Sequence, residues 1–150
     1  MNKLGYKIIG LLLLLNFTSA YASTVSLSVS DSFIEQGESF SIDVNAFDVN
    51  QMMGFGFNLD YDHSVLELKS VFVAADNDFS SGDFISGTFF LPLTGDYLLA
   101  SLEFVANSIG SVDFGILSDI LNPREGLIEL DFLNGRDKLD NYEIHSLLHF

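Results

Sequence analysis

The chain contains no cysteine and no tryptophan, and only two of its 150 residues are proline. Without cysteine there is no disulfide framework and no thiol nucleophile, so the fold must depend on its apolar core. Basic residues are also scarce: six Lys and Arg stand against 21 Asp and Glu. Such an acidic surface repels phosphate groups, which argues against nucleic acid and anionic lipid as partners. It suits an extracellular protein, a basic partner, divalent cations or solubility alone.

The N-terminus carries the longest apolar run. Two lysines precede an apolar stretch over 8–15, and Ala20 and Ala22 then place small residues where a signal peptidase reads them. The run is shorter than the roughly 20 residues that span a bilayer, which favours a signal peptide over a membrane anchor. We therefore expect removal of 1–22. Residues 23–150 then form one domain, secreted to the periplasm or the extracellular space and not held in a membrane.

Most of the remaining chain alternates apolar and polar residues with a period of two, which is typical of half-buried strands. No segment shows a sustained helical period. After Ala46 the phase slips, because Phe47 and Val49 continue the apolar set, and this predicts a β-bulge. Alternation is clear over 25–30, 40–49, 55–61, 98–106, 112–116 and 128–132. Residues 66–74 are also expected to form a strand, and 84–91 a strand with both faces partly apolar.

This pattern predicts an all-β fold. Eight or nine short strands separated by turns rich in Gly, Asn, Asp and Ser indicate an antiparallel β-sandwich or jelly roll. One such turn is expected over 122–126. Residues 134–140 are charged and are expected to form a loop, whereas 142–150 fit either a closing strand or a short helix.

Residues 76–83 have part of the pattern of a calcium-binding loop. In such a loop a glycine stands sixth and a bidentate Glu twelfth, whereas here the glycine is seventh and Gly87 is twelfth. A polar turn is therefore favoured over an irregular calcium site, and we expect no cofactor.

Other motifs give no case for catalysis. Residues 91–95 read LPLTG, a cell-wall sorting motif, but strand-like sequence follows them, so a turn between strands is favoured.

His145 and His149 would share one face of a helix, yet exposed residues are favoured over a metal site. His63 fits an exposed turn, which leaves no base for a serine nucleophile. No spacing identifies a pair of catalytic carboxyls. We therefore expect a protein that is not an enzyme.

Three stretches, taken in order, resemble the cohesin family: 37–44, 54–68 and 98–110. The most specific element is Tyr61-Asp62 followed by Val65-Leu66-Glu67. The resemblance implies a jelly roll of about nine strands without enzymatic activity, which binds a protein partner, a dockerin in that family, on one sheet. It also implies kinship with cellulose-binding modules and a role in assembling polysaccharide-degrading complexes.

The resemblance also implies a position for the partner. The binding strip would consist of the outward positions of the strand before Tyr61, namely Gly54, Gly56, Asn58 and Asp60. The two glycines would leave the strip flat, and Asn58 and Asp60 would supply polar contacts. Tyr61 and Leu66 are expected to point inward around a tight turn that Asp62 caps through its side chain.

Two alternatives stay open. A carbohydrate-binding module would hold a polysaccharide by stacking sugar rings on exposed aromatics, chiefly Trp and Tyr. Beyond residue 22 the chain offers no Trp, and its tyrosines are Tyr61, Tyr97 and Tyr142. A structural subunit of a surface or matrix polymer would instead show concentration-dependent assembly.

The signal peptide predicts the start of the exported protein. Cleavage after Ala22 leaves Ser23 as the first residue, because the small side chains of Ala20 and Ala22 fit the peptidase. The intact mass of the exported protein measures this directly. Recovery of residues 1–22 in a membrane fraction would contradict secretion.

Overall fold

The computed structural model describes residues 23–30, 34–119, 121–122, 124–131, 135–140 and 143–149. Within these residues every regular element is a strand, and all strand pairs are antiparallel. No helix in this part of the chain could cross a membrane. The predicted all-β fold is confirmed. The strands are β1 (Thr24–Val29), β2 (Ser39–Asp60), β3 (Leu66–Val73), β4 (Asn77–Ser81), β5 (Phe84–Ala106), β6 (Ser111–Leu117), β7 (Gly126–Asp131), β8 (Gly135–Asp140) and β9 (Glu143–His149).

Strands β2 and β5 are long enough to belong to both layers of the sandwich. In the first layer, the first half of β2 pairs with β1 and with the second half of β5, which also pairs with β3. In the second layer, the second half of β2 pairs with the first half of β5, which also pairs with β4. The second half of β2 pairs on its other side with β6 and β7. Strand β9 pairs with β6, and β8 with β7.

The bend of β2 between the layers is held by side chains of β5. The register shifts after Ala46, which confirms the predicted bulge. Asp48 and Gln51 have φ angles of 54° and 59°, a left-handed conformation that few residues other than glycine adopt. Their N–H groups donate to Asp96 Oδ1 at 3.0 Å and to Thr94 Oγ1 at 3.2 Å. These bonds stabilise a conformation that is otherwise costly.

The prediction of a turn over 91–95 is wrong. These residues lie inside β5, opposite the bend of β2, where Met52 pairs with Leu93 and Val49 with Gly95. Gly95 has a φ of 116°, which glycine adopts readily. The motif therefore bends a continuous strand and does not end one.

The inward positions of the alternating segments form the core, as predicted. At its centre Phe104 is fully buried, and its ring centroid lies 5.9 Å from that of Phe40 and 5.4 Å from that of Phe114. The ring of Tyr61 packs edge-on against Phe104 at 5.2 Å and is half-buried. Burial of a large apolar side chain contributes about 1.5–3 kcal/mol, so such contacts stabilise this cysteine-free chain in place of disulfides.

The turn between β2 and β3 has the predicted arrangement. Asp62 Oδ1 accepts hydrogen bonds from Ser64 N at 2.8 Å and from Ser64 Oγ at 2.6 Å. These bonds favour the carboxylate form, so they lower the pKa of Asp62 below its usual range. The N–H of Leu66 donates to the carbonyl of Asp62 at 3.0 Å, and the Leu66 side chain is fully buried.

Two further segments differ from their predictions. The polar turn expected over 76–83 contains β4, and the loop expected over 134–140 contains β8. Every residue of β4 is exposed, so its sequence lacks the alternation that a buried face imposes. The undecided segment 142–150 contains the strand β9, so the helix alternative is wrong. Residues 1–22, including the expected signal peptide, lie outside the described residues.

The position of Leu66 predicts its contribution to stability. Replacing it with alanine leaves a cavity in the core and should lower the free energy of unfolding by roughly 2–5 kcal/mol. Leu91→Ala is the matched control, because Leu91 is 74% exposed. Chemical denaturation of both variants measures the difference. A loss below about 0.5 kcal/mol for Leu66→Ala would contradict its inward position.

Candidate functional site

The four predicted contact residues lie in the second half of β2, but only part of the strip reaches the surface. Asp60 is exposed and Asn58 is half-buried. Gly54 and Gly56 are both buried. The expectation that the two glycines form a flat outward surface is therefore wrong.

Gly56 is covered by another part of the chain. A Cβ atom added to Gly56 would overlap the carbonyl oxygen of Arg124, and one added to Gly54 would lie 2.8 Å from the carbonyl oxygen of Gly87. Glycine thus serves to let a neighbouring backbone approach closely, a common role of glycine in strands. The segment that approaches leads directly into β7, whose first residue, Gly126, pairs with Gly56.

Side-chain hydrogen bonds hold the described residues of this covering segment, namely 119, 121–122 and 124–125, in place. Glu125 is buried, with 6% of its surface exposed. Its Oε2 accepts from Asp119 N at 2.7 Å and its Oε1 from Asn122 Nδ2 at 2.7 Å. Asn122 Oδ1 accepts from Arg124 N at 3.1 Å. We call these described residues the platform, because the bonds fix the backbone that lies over β2. Of the turn predicted over 122–126, Asn122, Arg124 and Glu125 belong to the platform, and Gly126 begins β7.

An apolar groove of about 320 Å³ opens beside the platform on the outer face of the second layer. We call it the phenylalanine groove. Phe79 of β4 is 55% exposed, and its ring centroid lies 6.2 Å from that of Phe84 at the start of β5. Further residues of the lining are Phe55, Ser86, Thr88, Arg124 and Ile128.

Arg124 places a positive charge at the rim of this groove. It is one of only four Lys and Arg residues after position 22. Within the described part of the chain it takes part in neither of the two ion pairs, which join His63 to Asp83 and Lys69 to Glu67. An exposed guanidinium beside the exposed ring of Phe79 can bind a carboxylate through paired hydrogen bonds.

The tight turn brings a second polar cluster next to Asp60. His63 Nε2 lies 3.3 Å from Asp83 Oδ2, and the rings of His63 and Tyr61 are 4.3 Å apart. Burial raises the pKa of Tyr61 above 10.0, and the charge and hydrogen bond of Asp83 raise it further. His63 is exposed, as predicted.

Among the remaining candidates, those whose side chains the structure describes do not assemble into a site. Among the described residues, no three His, Asp or Glu side chains are grouped as a metal ion would require. Asp76 Oδ2 accepts from the N–H of Phe90 at 2.8 Å, which ties β5 to the start of β4. His145 and His149 fall in β9, but their side chains are outside the described residues.

Sequence reasoning missed the platform and the groove. Phe79 stands alone among polar residues in 76–83, and a lone aromatic residue in a polar stretch is the one signal that could have indicated an exposed ring. The approach of the platform to Gly56 left no local signal, because the two segments are far apart in the chain.

Comparison with known proteins shows what this fold is similar to. Neither a scan of protein-family models nor a search of curated proteins gives a match. Solved structures do match. A type II cohesin domain from the cellulosome of Acetivibrio cellulolyticus has a TM-score of 0.63 at 12% identity, over 85% of this chain and 95% of that one.

Two other cohesins agree with it. The type II cohesin–X–dockerin complex from Acetivibrio cellulolyticus contains a chain that matches with a TM-score of 0.58 at 12% identity, over 77% of this chain and 91% of that one. A non-cellulosomal cohesin from Archaeoglobus fulgidus matches with a TM-score of 0.54 at 15% identity, over 81% and 90%. This chain therefore has the fold of cohesin modules, as the resemblance in sequence predicts.

The platform gives a prediction about Gly56. Alanine usually stabilises a strand relative to glycine, but here the added Cβ must displace the Arg124 backbone. Gly56→Ala should therefore lower the free energy of unfolding by about 1–3 kcal/mol, as overpacking does. Asp60→Ala, an exposed position in the same strand, is the control and should change it by less than about 0.5 kcal/mol. Equal stability of Gly56→Ala and wild type in denaturant melts would contradict the close approach.

Proposed function

We propose that this protein is a secreted, non-catalytic binding module of the cohesin type that holds a protein partner on the phenylalanine groove. The observation that carries the proposal is the groove itself, in which two phenylalanine rings and an arginine meet on the outer face of a sheet. Such a surface needs only shape and charge complementarity to act, and it requires no nucleophile or proton-transferring pair. Of the strip predicted from the sequence, the exposed Asp60 and the neighbouring Asn58 would add polar contacts to this binding surface.

The composition of the groove fits a protein partner. Aromatic residues and arginine are enriched at the centres of protein interfaces, where they contribute most of the binding energy. Phe79 is exposed enough to be covered on binding, and Ser86 and Thr88 add hydroxyl groups along the same face. Strand β4, which carries Phe79, pairs only with β5 among the described strands. Phe79 therefore lies on an edge strand of the described sheet.

The charges around the groove define the chemistry of the partner. An apolar side chain of the partner would fill the space between Phe79 and Phe84. A carboxylate next to that side chain would pair with Arg124, and a basic group further along would face Asp60. The formal net charge of −15 favours a partner that is basic overall, because opposite charge speeds the encounter.

The similar structures support a specific setting for this interaction. One similar structure comes from a cellulosome and another is a complex with a dockerin module. A dockerin-like module in an extracellular assembly that degrades polysaccharide is therefore the specific partner that we propose. The N-terminal segment 1–22 supports secretion, because its basic start, apolar run and small residues follow the pattern of a signal peptide.

Replacing Phe79 tests the groove. Phe79→Glu puts a charge among the apolar walls, so it should weaken partner binding at least tenfold while the fold persists. Immobilised wild-type protein is first used to capture a partner from the secreted proteins of the producing organism. A protein retained by the wild type is then purified, and its affinity is measured by calorimetry.

The matched control is Ile109→Glu. Ile109 is 75% exposed and lies between β5 and β6, outside the groove lining. The Ile109→Glu substitution adds the same charge at another apolar surface position, so it should leave the affinity for the partner unchanged. Equal binding by wild type and Phe79→Glu, with equal thermal melts, would contradict a role of the groove.

A further inference from the structure

We propose a second binding site, for a neutral polysaccharide chain, on the outer face of the first layer. This face belongs to β1, β2, β5 and β3, and it lies on the side of the sandwich away from the phenylalanine groove. A shallow depression of about 410 Å³ crosses it. Its lining consists of hydroxyl groups, one carboxylate and two phenylalanines: Ser30, Ser39, Phe40, Ser41, Ser70, Phe72, Ser101 and Glu103.

The strand register places polar side chains in one row across four strands. Ser41 is paired with Glu103, and Glu103 with Ser70. Ser30 extends the row, because its Oγ accepts from Ser41 N at 3.0 Å and its N–H donates to Ser41 O at 2.9 Å. Ser70 Oγ donates to Glu103 Oε2 at 2.8 Å. Paired residues point to the same face, so this row presents three hydroxyls and an oriented carboxylate to a ligand.

A second row runs beside the first and ends in an aromatic ring. Ser28 is paired with Asp43, Asp43 with Ser101, and Ser101 with Phe72. The two rows are separated by two residues along each strand, about 7 Å. Phe72 is 61% exposed, although its neighbours in the row are polar. Nothing in the core requires an aromatic residue at this outward position.

These groups fit the surface of a sugar. A pyranose ring has an apolar face of C–H groups, which can lie on the exposed ring of Phe72. Its hydroxyl groups both donate and accept, as the serine hydroxyls do, and two of them can donate to the Glu103 or Asp43 carboxylate. Each row spans three strand spacings, roughly 14 Å, which accommodates more than one sugar unit of a linear chain.

Charge restricts the ligand to neutral glycans. The lining contains no Lys, Arg or His, whereas Glu103 belongs to it and Asp43 stands beside it in the row. Carboxylates repel uronic acids, sulfated sugars and phosphates. A protein partner is also disfavoured, because serine is depleted from protein interfaces and five of the eight lining residues are serine. The groove and the depression therefore differ in the class of ligand that they suit.

Affinity electrophoresis in native gels tests the site with defined probes. The gels contain hydroxyethyl cellulose, barley β-glucan, arabinoxylan or galactomannan as neutral polymers, and polygalacturonate as the anionic one. We expect at least one neutral polymer to retard the wild-type protein, and polygalacturonate to have no effect. Phe72→Ala and Glu103→Gln should each lower the affinity for the retarding polymer at least tenfold.

Matched controls separate this site from the groove. Phe90→Ala removes a ring that is 71% exposed but absent from the depression, so it should keep the affinity. Phe79→Glu should keep it as well, which makes the test independent of the protein partner. Thermal melts verify that each variant is folded. Retardation by no neutral polymer, undiminished retardation of Phe72→Ala, or loss of retardation in Phe79→Glu would overturn the assignment.

Discussion

The whole structure depends on two strands that pass from one layer of the sandwich into the other. Strand β2 spans 22 residues and β5 spans 23, and they pair with each other in both layers. The chain has no cysteine to tie the layers together. The covalent continuity of β2 and β5 does this instead, and the rings around Phe104 fill the space between the layers. The bonds from Asp96 and Thr94 to the bend of β2 therefore occupy a position on which both layers depend.

The candidate protein-binding surface is a consequence of close backbone approach. Because Gly56 has no side chain, the platform can lie directly over β2. Its hydrogen bonds through Glu125 and Asn122 then bring Arg124 to the rim of the groove. Gly54 and Gly56, which were predicted to contact a partner directly, instead lie beneath other backbone segments, and the segment over Gly56 forms one side of the candidate groove.

The fold could be predicted from the sequence because apolar and polar residues alternate where one side of a strand is buried and the other is exposed. Inward positions such as Ile42, Val44 and Leu102 are buried as their phase requires. Strand β4 has no buried face, so its sequence does not alternate and a turn was expected there. The charged sequence of β8 also lacks alternation, which is why a loop was expected. The groove could not be predicted for a different reason, since it depends on how the platform lies over a distant strand. The same glycine fits an open surface or a covered one, and only the three-dimensional path distinguishes them.

The covering of Gly56 makes the groove depend on contacts between segments that are far apart in the chain. The platform lies on the surface that the pairing of β2 with β5 creates, and its backbone also packs against Gly56. Arg124 lies at the rim of the groove only when both contacts are in place. A substitution that disturbs either contact is therefore expected to alter the groove, even where the substituted residue lies outside the groove lining.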